Sequence, residues 1–156
     1  MEAPFTGSVT GSASHLPLRS EYVDRVVAQF LLHHLTGRNY IGSRRSVRAF
    51  FEDASRVLRP GGQVLVTEPV VPRTFELAQR LMFPITKRLL ATVNFPMVIE
   101  YARNTLCAVA KEAGFTVVAV EAIPLGRFVS QVGMRWPTIL TPTRAAFFVL
   151  QNAGAL

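Results

Sequence analysis

Arg56-Val57-Leu58-Arg59-Pro60-Gly61-Gly62-Gln63-Val64-Leu65-Val66-Thr67-Glu68-Pro69 reads as the end of an amphipathic helix, a forced turn, and a buried strand that stops on a carboxylate. Pro60 cannot continue a helix, and Gly61 and Gly62 can take the positive φ that a helix exit needs. Val64-Leu65-Val66 is a short apolar run of the kind found in parallel sheets covered on both faces. In open α/β sheets ligands gather beyond the carboxyl ends of the strands, which places Glu68 beside any active site.

Working outward, a first strand is expected at about Tyr22 to Phe30, where Val26, Val27 and Ala28 are consecutive apolar residues. Leu31 to Gly42 reads as a loop with room for one helical turn, and Ser43 or Ser46 can cap the next helix. In that helix Val47, Phe50, Phe51, Ala54, Val57 and Leu58 recur at helical spacing. One or two helices broken at Pro84 and Pro96 are expected between Pro72 and Val98. Another, from Ile99 to Ala113, ends at Gly114 as its C-cap. Thr116 to Ile123 and Ala145 to Leu150 read as strands, separated by a Pro- and Gly-bearing connection from Leu125 to Thr143. The alternation predicts an α/β fold whose early strands are parallel. Residues 1–14 read as a flexible arm and 15–156 as one domain, with 73–98 a helical apolar lid or insertion. Gly7-Ser8-Val9-Thr10-Gly11 lacks the flanking strand and helix of a phosphate loop and reads as tail.

At 156 residues and 49% apolar, the chain can bury a core, roughly 70% of its unfolded surface for this size. The net charge of +7 is carried by scattered arginines, with Lys87 and Lys111 the lysines. Without a basic patch interleaved with aromatics, nucleic acid is a poor fit as partner. A single cysteine, Cys107, rules out an intrachain disulfide and suits a reducing, cytoplasmic location. It reads as apolar filler. Glu2 and the absence of a basic-then-apolar start speak against a signal peptide. Leu81 to Ile99 is interrupted by prolines and charges and cannot span a bilayer as one helix.

Asp24-Arg-Val-Val-Ala-Gln-Phe-Leu-Leu-His-His-Leu35, followed by the helix into Arg56-Val-Leu-Arg-Pro-Gly-Gly62 and the strand ending Thr67-Glu68-Pro69, resembles the S-adenosylmethionine-dependent methyltransferases of the Rossmann-like class. The type 11 small-molecule group is the most similar. Gly11-Ser-Ala-Ser-His-Leu-Pro-Leu18 resembles a family segment that usually reads Gly-Asp-Ala and then Leu-Pro, with Ser12 in place of the aspartate. The resemblance covers about Gly11 to Leu150, but only the second half of the family fold. The family's glycine-rich loop and the acidic residue ending its second strand have no counterpart. The resemblance implies a partial Rossmann-like sheet, mostly parallel with an antiparallel closing strand, flanked by helices. It implies S-adenosyl-L-methionine as cofactor. Two missing charged contacts, at roughly 1.5–3 kcal/mol each, weaken cofactor binding by about a hundredfold or more.

The same resemblance places Ser12, Ala13, Gln29, Phe30 and His33 against the cofactor, and His34 and Glu68 at the chemistry. Each has a plainer role: Phe30 as core, Ser12 and Ala13 as arm, the histidines as partners of loop backbone, Glu68 as a cap on the following turn. Adjacent histidines point apart and make no metal site without further ligands. Asp24, at the opposite strand end, reads as structural. The apolar segment Phe75 to Met97 implies a hydrophobic small-molecule acceptor or a covering partner chain. Arg73, Arg80, Lys87, Arg88 and Arg103 around it suit peripheral contact with an anionic membrane. A second expectation is a truncated or split relative that acts as a non-catalytic binding or oligomerisation subunit. Its first strand would carry an uncovered edge, which invites a homodimer or a complementary half-domain. A nicotinamide-dependent enzyme lacks its fingerprint here.

Overall fold

In the computed structural model, which describes residues 7–123, 128–129, 135–136 and 143–153, the two strands expected to run side by side do so. β1 (Val23–Gln29) and β2 (Leu58–Val71) are parallel, with Val27 opposite Leu65 and Gln29 opposite Thr67. The turn residues do not separate helix from strand as expected. The extended conformation begins at Leu58, which pairs with Val23, and Arg59 to Gly62 loop out before pairing resumes at Gln63 with Arg25. Gly61 takes the positive φ of 75° that this excursion requires.

α1 (Tyr40–Val57) starts earlier than the serines suggested. Asn39 is its N-cap, accepting from Gly42 N at 2.8 Å, a bond that satisfies one of the helix's orphan donors. Ser43 is buried instead, donating to Asn39 O and accepting from Gly37 N. A side chain on Gly37 would collide with the Gly42 backbone at 2.5 Å, so the loop can fold onto the helix start only as glycine.

α2 (Arg73–Thr92) runs unbroken through Pro84. The proline and Arg80, whose carbonyl it leaves unpaired, are both exposed, so water can take the lost bond and the helix survives. The helix expected from Ile99 begins at Arg103, because Tyr101 and Ala102 form a short strand, β3, parallel to Val70 and Val71 of β2. α3 (Arg103–Glu112) then leads through Gly114, at φ 87°, into β4 (Phe115–Ile123). β5 (Phe128–Val129) and β6 (Arg135–Trp136) pair with each other, and the rest of the expected connection lies outside the described residues up to Thr143. β7 (Arg144–Asn152) enters antiparallel between β2 and β4.

The main sheet is ordered β1-β2-β7-β4, with β3 beside the far end of β2. Phe50, Phe51 and Ala54 of α1 and Leu106, Val109 and Ala110 of α3 bury against Val64, Val66, Phe148 and Leu150 on one face. The opposite face carries a row from Val27 through Leu65 and Val149 to Ala119. Val27 is 61% exposed there. Among the described residues no strand pairs with the outer edge of β1.

Candidate functional site

Parallel pairing sets the tip of β1 beside Thr67 of β2, which does not stop on Glu68 as expected but runs on to Val71 because β7 and β3 continue to pair with it. Phe30 N donates to Thr67 O at 2.8 Å, closing the crotch between them. Phe30 turns the chain with φ 50°, a conformation that costs a non-glycine residue of order 1 kcal/mol and is typical of functional strand ends. A single 3₁₀ turn, Leu32–His34, follows directly.

Glu68 holds this loop. It is 1% exposed, and its Oε1 accepts from the backbone N–H of both Leu31 and Leu32 at 2.6 Å. Oε2 lies 2.8 Å from His33 Nδ1. A carboxylate in that position accepts a hydrogen bond from Nδ1 and fixes the orientation of the ring. Both oxygens of Glu68 are thus engaged within the protein. His34 stacks on His33 with ring centroids 4.1 Å apart. Burial, and then the neighbouring His33, lower the pKa of His34.

The segment before β3 closes one side. Ile99 N donates to His33 O at 3.0 Å, and the Glu100 backbone is clamped on both sides by Gln79. Burial pushes the Glu100 carboxyl above the usual carboxylate range, partly offset by a 2.6 Å bond from Thr143 Oγ1.

A second buried carboxylate, Glu76, went unread in the sequence. It accepts from Tyr40 Oη at 2.5 Å, Thr105 Oγ1 at 2.8 Å and Ala102 N at 3.2 Å, tying α1, α2 and α3 together. Burial and the bond to Glu76 raise the Tyr40 phenol well above its ordinary value. The available signal was that Glu76 is the lone acid in a basic apolar helix. Beside it the Tyr101 hydroxyl is buried without a partner among the described residues.

Of the residues the sequence singled out, Gln29, Phe30, His33, His34 and Glu68 gather at this rim. Ser12 and Ala13 belong to a different neighbourhood. Ser12 bonds Ser14, Ala13 packs on the core, and the segment beyond is held to α1 by Leu16 N donating to Asp53 Oδ2. Burial raises the Cys107 thiol, which opposes a nucleophilic role. Asp24 pairs with Arg59 at the amino end of the sheet, beside a shallow hollow of about 310 Å³ on the side away from the rim. Among the described residues no set of three donors is placed to hold a metal ion.

A sheet with parallel β1, β2 and β3 and an antiparallel β7 has the fold of part of a Rossmann-like methyltransferase domain. The family model described as a methyltransferase domain matches residues 2–66. An S-adenosylmethionine-dependent methyltransferase from Methanosarcina mazei superposes with a TM-score of 0.62 at 14% identity, covering 91% of this chain and 65% of its own. Geranyl diphosphate C-methyltransferase from Streptomyces coelicolor, solved with Mg2+, geranyl diphosphate and S-adenosyl-L-homocysteine, superposes at 0.59 with 7% identity, over 92% of this chain and 51% of its own. The chain thus spans under two thirds of the length of either. No curated protein matches by sequence.

Proposed function

We propose that this chain is an S-adenosylmethionine-dependent methyltransferase-like protein that methylates a small apolar acceptor. The observation carrying the proposal is the rim at the tip of β1, where Phe30 bonds Thr67 of the neighbouring parallel strand and Glu68 holds His33. Gln29 and Phe30 would hold the cofactor, which supplies a sulfonium methyl group. Their fit to it is partial. The carboxylates at this rim, Glu68 and Glu100, are committed to Leu31, Leu32, His33 and Thr143, so the ribose hydroxyls need another acceptor. With Nδ1 held by Glu68, His33 would present Nε2 as the group able to take up a proton from an acceptor heteroatom, and Glu68 would stabilise the ring in its charged form. Most of the acceleration comes from alignment and exclusion of water, since in-line displacement on a sulfonium demands proximity above all. The apolar acceptor is argued from the apolar composition of α2, whose Lys87 reaches the Gly37 and Arg38 carbonyls past the histidine loop.

Calorimetry with S-adenosyl-L-homocysteine tests the reading. Binding is expected, and Phe30→Ala should weaken it about tenfold, the equivalent of 1.4 kcal/mol. A folded protein that gives no heat at millimolar ligand would remove it. The edge of β1, with which no described strand pairs, and the exposed Val27 favour a second reading, a binding or oligomerisation subunit, which an oligomer that binds no cofactor would support.

A further inference from the structure

α2 is amphipathic in an unusual sense, because apolar side chains occupy its outer face as well as its inner one. Glu76 and Phe83 turn inward and are buried. Leu77, Leu81, Ile85 and Leu89 recur every fourth residue on the outside, at 53%, 70%, 61% and 65% exposure. Residues at that spacing form one continuous strip along the helix, about 18 Å from Leu77 to Leu89. The strip continues past the helix end in Val93 and Phe95, also exposed. Isolated exposed leucines are ordinary on a protein surface, but a row of this length is not.

The charge around the strip has one sign. α2 carries Arg73, Arg80, Lys87 and Arg88, and its lone acid, Glu76, is withdrawn into the core against Tyr40, Thr105 and Ala102. The contacts that the cations make inside the protein leave their charge standing. Arg80 lies over the Tyr40 ring at 5.7 Å, and Lys87 Nζ donates to the Gly37 and Arg38 carbonyls. None of the ion pairs among the described residues involves a cation of α2. Arg88 follows Leu81 and Ile85 at seven and three residues, so it rises from the same face as the strip. A long aliphatic stem there can lie on apolar material while its guanidinium reaches a polar layer.

We propose that the outer face of α2 docks the protein onto an anionic lipid surface, the helix lying in the plane of the headgroups. No described helix is long and apolar enough to cross a membrane, so the contact is interfacial. A protein partner would also cover the leucines, but a strip bordered by uncompensated cations complements a layer that is apolar beneath and negative above. The proposal deepens the methyltransferase reading, on which it rests in part, since an apolar acceptor would reside in the bilayer the strip touches. Docking itself needs neither cofactor nor catalysis.

Co-sedimentation of the full chain with vesicles tests it, with neither methyl donor nor acceptor added. Vesicles of phosphatidylcholine and phosphatidylglycerol in equal parts should bind the protein, pure phosphatidylcholine much less, and high salt should release it. Arg88→Glu should weaken binding to the anionic vesicles by about fivefold or more, since one basic residue near such a surface contributes about 1 kcal/mol. Leu81→Asp should abolish it, with circular dichroism and the melting temperature unchanged because the side chain is exposed. Equal binding to neutral and anionic vesicles would overturn the proposal. So would indifference to Leu81→Asp, or a dimer that Leu81→Asp splits while vesicles bind nothing. Loss of cofactor binding with vesicle binding intact would strike only the catalytic reading.

Discussion

Glu68 concentrates the consequences of the site in one side chain. Removing its charge while keeping its shape, as Glu68→Gln does, leaves Leu31 N, Leu32 N and His33 Nδ1 to share one neutral oxygen and places an amide N–H against donors. Buried hydrogen bonds to a charged acceptor contribute roughly 1.5–3 kcal/mol each. Glu68→Gln should therefore cost about 2 kcal/mol or more in urea denaturation. It should also shift the Leu31 and Leu32 amide protons upfield, a readout confined to the loop. Unchanged amide shifts would show that Glu68 does not hold the loop. The sequence singled out Glu68 as the end of its strand, but β2 runs on to Val71, and Glu68 sits beside the tip of β1 because that neighbouring strand stops at Gln29. Its inward orientation was not legible, because the donors it serves exist only once Phe30 adopts a positive φ, which no local pattern of residues announces. The choice between His33 and His34 was hidden likewise, since only the fold shows which ring meets the carboxylate.

Elements were legible where a long periodic signal specified them. The stripe from Val47 to Leu58 marked α1, and the valine-rich runs marked β1, β2 and β4. β3 escaped because two residues carry no period and are extended only through pairing with Val70 and Val71. The start of α1 escaped because Asn39 caps it while the serines expected to do so lie inside. The stretch before β1 is held by tertiary contacts of the same kind. Arg56 donates to the Leu16 and Leu18 carbonyls and to Asp53, whose carboxylate accepts from Leu16 N at 2.5 Å. The Arg56 guanidinium, and then the Leu16 amide, hold the Asp53 carboxyl below its ordinary value. A carboxylate depressed by folding contributes stability that is complete above the unfolded value, near 3.9, and is lost as pH falls through the folded one. The Leu16 amide should stay protected from hydrogen exchange at pH 5 and lose protection only below about 4. Asp53→Asn should remove that protection at every pH, costing about 1–2 kcal/mol locally. Rapid exchange of Leu16 at pH 5 in the parent protein would contradict the clasp.

At the scale of the molecule, the two faces of the sheet are built differently, and the difference carries the last prediction. α1 and α3 seal one face with Phe50, Phe51, Leu106 and Val109. The other presents Val27, Leu65, Val149 and Ala119 in one row, with Phe147 one step along, and its boundary is the edge of β1, with which no described strand pairs. An apolar face continuous with an open strand edge is a surface on which a second chain gains backbone hydrogen bonds and apolar burial together. The outer strip of α2 offers burial alone, its backbone bonds being satisfied within the helix. Association between copies should therefore run through the sheet and not through α2. Sedimentation equilibrium at micromolar protein should show an oligomer. Val27→Glu should weaken it at least tenfold, since the exposed carboxylate would have to be buried in the contact, a penalty above 1.4 kcal/mol. Leu81→Asp should leave the oligomer intact. A monomeric parent protein, or an oligomer that Leu81→Asp disrupts and Val27→Glu does not, would assign the open face another role and hand association to the helix.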